Sequence, residues 1–196
     1  MASVFLSPST QEWNPYLTGG NEEEYMNFVV DGMEPYLKES GIFFGRNDRT
    51  KTVTEAIILS NAAPYDLHLA LHTNASPESR AGQMRGIEIY YAPGSEAGEA
   101  FASILQEEFA LIYPLEGGVR RIPTTSLAEV QRTVAPAVLV EAGYHDNVED
   151  EAWIKANIDS IGHAAARAIA RYVSVPLMTP LQGPLTPMET KEEQAT

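Results

Sequence analysis

Asp66-Leu67-His68-Leu69-Ala70-Leu71-His72-Thr73-Asn74-Ala75 reads as a short buried strand. Leu67, Leu69 and Leu71 alternate with His68, Ala70 and His72, a period of two that puts the leucines on one face and the histidines on the other. Where the strand ends, backbone pairing stops and His72, Thr73 and Asn74 become available for chemistry. An isolated histidine is more often a hydrogen-bonded core residue than a ligand. His68 shares the face of His72 but stands about 13 Å from it along an extended strand, given about 3.3 Å per residue. Two ligands of one zinc do not easily converge from that separation. A site at His72 therefore draws its other members from elsewhere in the chain.

The 196 residues are 44% hydrophobic, enough for one domain with a sizeable core. There is no cysteine, which excludes disulfides, thiolate ligands and a cysteine nucleophile. A formal net charge of -14 argues against an electrostatic grip on nucleic acid or on anionic membrane. No apolar run reaches the roughly 18 residues of a membrane-spanning helix, and the first residues lack the basic and apolar regions of a secretion signal. The expectation is a monomer made in the cytoplasm, with no membrane insertion.

Around the central stretch the chain alternates between strand and helix patterns. Val4-Phe5-Leu6 reads as a first strand, stopped at Ser7-Pro8. Asn21-Glu22-Glu23-Glu24 opens a helix with Asn21 as cap and Glu24 at the capping-box position. Its apolar stripe is Met26, Val29, Val30, Met33 and Leu37. Pro35 should kink or end it, and Gly41 suits its stop. On the helical wheel Glu24 points away from the stripe, whereas Glu22 or Glu23 could face inward. Ile42-Phe43-Phe44 is a second strand, Thr52-Val53-Thr54-Glu55 a second capping box, and Gly86 to Tyr91 a strand. Ser95 caps a helix carrying Phe101, Ile104, Leu105 and Phe109, and Arg120 to Ile122 is extended. Ala137-Val138-Leu139-Val140 is a buried strand that runs into Glu141, and a last helix spans about 158–172. The fold expected is α/β: one domain over residues 1–174, with a twisted, mostly parallel sheet of about six strands and helices on both faces. Residues 175–196, punctuated by prolines, read as a disordered tail or linker.

Three element ends converge by this topology: Glu22 or Glu23, His72 to Asn74, and Glu141. Histidine with carboxylate supplies ligands for a catalytic zinc, and a further carboxylate can act as base toward water. An ionisable side chain directly after Ala137-Val138-Leu139-Val140 is expensive unless it is used or paired, for instance with Arg120.

The segments HTNA at 72–75, RGIEIYY at 85–91 and PAVLVEAGYHDN at 136–147 resemble the zinc-dependent N-acetylmuramoyl-L-alanine amidases of bacterial cell-wall turnover and lysis. The resemblance runs from about Val4 to Tyr172. It implies a twisted sheet flanked by helices, zinc held by two histidines and a glutamate, and peptidoglycan or muropeptides as substrate. The bond cut would join the lactyl group of N-acetylmuramic acid to L-alanine of the stem peptide. His72 resembles one histidine ligand, and Glu23 the glutamate ligand, because Asn27 follows it by four. Glu141 resembles the catalytic glutamate, and Asn74 is expected to touch substrate.

One departure stands out. Where the family's first strand ends in Asp-Pro-Gly-His, this chain has Ser7-Pro8-Ser9-Thr10 followed by Gln11, so the first histidine ligand is missing. His145, close in sequence to Glu141, is expected to replace it. Thr10 or Gln11 could instead hold the metal weakly, or the site could be a silent peptidoglycan-binding module. A zinc hydrolase acting on another N-acyl amino acid or peptide is a third reading. In the first case the protein is a lysin of the endolysin or autolysin kind that reaches the wall after release from the cell.

Overall fold

The computed structural model describes residues 1–180. Six strands form one sheet: β1 (Ser3–Pro8), β2 (Phe43–Arg46), β3 (Leu67–Asn74), β4 (Ile87–Tyr91), β5 (Val119–Pro123) and β6 (Ala137–Tyr144), in the order β2-β1-β3-β6-β4-β5. Pairing is parallel except between β4 and β6. The mostly parallel sheet read from the sequence is therefore the sheet observed. The helices are α1 (Glu22–Glu39), α2 (Val53–Asn61), α3 (Glu96–Ala110), α4 (Ala128–Arg132), α5 (Val148–Ala156) and α6 (Ile158–Tyr172). Among the described residues no helix is long and apolar enough to cross a membrane.

The two faces of β3 go to different layers, as its alternation demands. Leu67, Leu69 and Leu71 join the main core with Val29, Met33, Phe101, Leu105, Ile161 and Ile169 from α1, α3 and α6. Ala70 packs on the other face in a smaller cluster with Leu139 of β6 and Val130 of α4. His68 and His72 share that second, thinner face, so they lie under the short helix α4 rather than in the main core.

Local signals account for the element ends. Asn21 accepts from the Glu24 N–H at 2.9 Å, and Thr52 with Glu55 closes a complete capping box. Gly41, at φ +68°, ends α1. Its N–H reaches the Lys38 carbonyl and the Ile42 N–H reaches Leu37, the paired bonds of a Schellman stop.

Two readings need correction. α1 continues past Pro35 to Glu39. A proline removes one N–H from the ladder at a cost of about 3 kcal/mol, and here the buried stripe Met26, Val29, Val30, Met33 and Leu37 against α6 outweighs it. The helices α4 and α5 were not expected. α4 has five residues, too few to show a period, and α5 is signalled by its cap: Asn147 accepts from the N–H groups of Glu149 and Asp150. Of the expected tail, residues 175–180 are irregular, with Val175 and Leu177 against the core and the Met178 N–H on Ser40 Oγ at 2.8 Å. Residues 181–196 lie outside the described residues.

Candidate active site

A trough with a cavity volume of about 780 Å³ opens at the carboxyl ends of β1, β3 and β6. Its floor is Ser7, Leu139, His72 and Glu141. α4 contributes Glu129, α1 contributes Glu23, and the loop after β2 supplies Asn47, Arg49 and Lys51. Trp13, 68% exposed, stands on the loop after β1.

Neighbouring parallel strands set His72 opposite Glu141. The imidazole of His72 lies between two carboxylates: Nδ1 donates to Glu22 Oε1 at 2.8 Å, and Nε2 to Glu129 Oε2 at 3.2 Å. Glu129 also meets His68 Nε2 at 3.2 Å through its other oxygen and accepts from the Ser7 hydroxyl, and Ser60 Oγ closes the chain on His68 Nδ1 at 2.9 Å. Burial pulls the His72 pKa down, but the bonds from Glu129 and Glu22 outweigh it and hold the imidazole well above its usual value. Burial likewise pushes Glu129 up, and its bonds to the two histidines overcome this and bring it down to about 2. For Glu22 the hydrogen bond and charge of His72 overcome burial in the same way.

Glu141 behaves oppositely. The residue faces the trough, yet its Oε2 is shielded from solvent and has no hydrogen-bond partner. Burial pushes its carboxyl up to about 7; the His72 charge opposes this, and Glu22, Glu88 and Glu129 add to it. At neutral pH it therefore exists in both protonation states, the condition for taking and returning a proton. Arg120, a possible partner on sequence grounds, binds Glu88 instead at 2.6 Å.

The remaining expected site residues are distributed as follows. Glu23 lines the trough, but its carboxylate is held by the Arg49 guanidinium and by Asn27, 3.2 Å away, while its neighbour Glu22 reaches His72. Thr10 and Gln11 line the trough, with the Gln11 amide 3.2 Å from His72 Nδ1. Asn74 donates to Glu88 at 3.0 Å and does not line the trough. His145 is not brought to His72. It stacks on Tyr16 at 5.6 Å between ring centroids and meets Thr73 Oγ1 at 3.1 Å. Thr73 follows His72 by one residue on a strand, so it and His145 belong to the opposite face. The residue the sequence reading missed is Glu129. A single acid in a five-residue helix carries no pattern that would have marked it.

These positions test the implied zinc. His72 is the one imidazole in the trough lining, and each of its nitrogens already has a carboxylate. Among the described residues, no group of three or more His, Asp or Glu side chains is arranged to hold a metal ion. The two-histidine, one-glutamate set does not fit this arrangement.

A family model described as N-acetylmuramoyl-L-alanine amidase matches residues 14–171. The chain belongs to that family. It is 27% identical over 142 residues to the N-acetylmuramoyl-L-alanine amidase CwlM of Bacillus licheniformis, covering 71% of this chain and 53% of the relative. The chain thus spans about half the length of that curated relative. Among solved structures, the catalytic domain of CwlV from Bacillus (Paenibacillus) polymyxa superposes with a TM-score of 0.76 at 21% identity, covering 90% of this chain and 100% of that one. The amidase AmiC2 of Nostoc punctiforme gives 0.75 at 17%, covering 88% and 97%. At these identities the solved structures speak for the fold.

The Glu141 shift has a stability consequence. A carboxyl whose folded pKa is raised lowers stability progressively between the unfolded value, 4.5, and the folded value, about 7. Glu141→Gln should therefore stabilise the protein at pH 8 by about 1–3 kcal/mol, less than the full shift because the trough admits water, with no gain at pH 4. Urea unfolding at the two pH values measures this; an equal effect at both would contradict the assignment.

Proposed function

We propose that this chain hydrolyses the amide bond between the lactyl group of N-acetylmuramic acid and L-alanine in peptidoglycan stem peptides. The observation that carries the reading is Glu141: a trough carboxyl with one unpartnered oxygen, at the position that resembles the family's catalytic glutamate. As carboxylate it takes a proton from the attacking water, and as carboxylic acid it returns one to the leaving amine of L-alanine. His72, held between Glu22 and Glu129, is the cation that bears on Glu141. The bulk charge of -14 gives no long-range pull toward an anionic wall, so affinity comes from the trough.

Zinc enters this proposal only through the resemblance. Its expected ligands are not assembled, so the proton transfers are assigned to Glu141. With both nitrogens of His72 capped by carboxylates, the protein dialysed without chelator should hold well under one zinc per chain. Near one zinc per chain, lost in His72→Ala, would show that His72 gives up a carboxylate to a metal in solution.

Digestion of purified peptidoglycan tests the activity. Mass spectrometry should find released peptides with a free L-alanine amino terminus, and Glu141→Gln should lower their release by about 10²-fold or more. Equal release by both proteins would contradict the role of Glu141. Binding of muropeptides without release by either would favour the silent binding module.

A further inference from the structure

Asn47 follows β2 directly and lines the trough, the residue only 6% exposed. Its backbone N–H donates to the Leu6 carbonyl at 3.2 Å, which ties it to β1. Its Nδ2 donates to the Pro8 carbonyl at 2.9 Å. A carbonyl only accepts, so this bond fixes which end of the amide is nitrogen and which is oxygen. The other end, Oδ1, is shielded from solvent and has no partner. Leaving such an acceptor unsatisfied is costly. An asparagine placed this way is suited to a donor that arrives from outside the protein.

The rest of its loop indicates the kind of donor. Arg49 and Lys51 follow at intervals of two and line the same trough, each with 53% of its side chain exposed. Arg49 already holds Glu23, so Lys51, 3.7 Å from Glu55 at the exposed rim, is the cation of this loop that suits an anionic ligand. Of the two halves of the proposed substrate, the stem peptide offers both N–H donors and carboxylates.

We propose that Asn47 and the loop through Lys51 form the subsite for the stem peptide, with Asn47 Oδ1 accepting the first peptide N–H beyond the scissile bond and Lys51 facing the peptide carboxylate. This rests on the hydrolase reading above. It adds a specificity-determining residue to a trough whose other partners act on the bond being cut.

The test is calorimetric binding to the full chain carrying Glu141→Gln, using N-acetylmuramoyl-L-alanyl-D-isoglutamine and the shorter N-acetylmuramoyl-L-alanine, which lacks the N–H in question. The longer ligand should bind at least fivefold tighter. Asn47→Ala should cost it about five- to tenfold, a single hydrogen bond, and leave the shorter one unchanged. Equal affinity for the two ligands overturns the subsite without reference to any Asn47 variant, so poor folding of that variant cannot mask the answer. Equal losses for both ligands also overturn it and leave Asn47 holding a water or the Pro8 strand end only. If wild-type protein releases peptides from the wall while Asn47→Ala binds the longer ligand as well as its parent does, the subsite alone fails. If neither ligand binds and no peptide is released, the hydrolase reading fails and the subsite with it.

Discussion

Strands β3 and β6 run side by side in parallel register with His72 opposite Glu141, and this pairing sets two ionisable groups against each other at the strand ends. Residues 69 positions apart in the chain become neighbours because two short apolar runs, Leu67 to Leu71 and Ala137 to Val140, pair inside the sheet. Everything else in the trough is added to that pair. α1 brings Glu22 to one nitrogen of His72, α4 brings Glu129 to the other, and the loop after β2 brings Asn47 and two cations to the rim. A register slip of one residue would send His72 and Glu141 to opposite faces and dissolve the site.

The electrostatics follow from who pairs with whom. Glu22 and Glu129 are bonded to imidazoles and stay ionised despite burial, whereas Glu141 has no such bond to Oε2 and its carboxyl is raised. Three carboxyl groups around one histidine thus divide into two that hold charge and one that can exchange a proton near neutrality. Environments that push like groups apart in this way are what acid–base chemistry requires, and they make Glu141 the proposed proton carrier. Glu129 also links His72 to His68 and Ser60 deeper under α4, so the orientation of the trough imidazole is set by a hydrogen-bonded chain rather than by one neighbour.

Much of the fold was legible because its signals are local. The alternation in Leu67 to His72, the caps at Asn21, Thr52 and Ser95, and the apolar run before Glu141 each identify an element from a few residues. What escaped depends on contacts between distant parts of the chain. Pro35 looked like a break because tertiary packing on α6 is invisible in a helical pattern. Glu129 escaped because a single acid in a five-residue helix has no periodicity to mark it. His145 looked near Glu141 because it is close in sequence. Yet it packs on the opposite face beside Thr73 and Tyr16. Glu22 and Glu23 were both credible inward acids, and the structure uses both: Glu22 on His72, Glu23 on Arg49.

In the proposed reaction the Glu141 carboxyl, poised near neutrality, does the proton transfer. The pH dependence of kcat/KM on a soluble muramoyl-peptide tests it most directly, since that ratio reports the titration of the free enzyme. The base form of Glu141 is needed, so the rate should fall on the acid side with a limb near pH 7. A profile that stays flat down to the ordinary carboxylate range, with a limb near 4.5, would contradict the account.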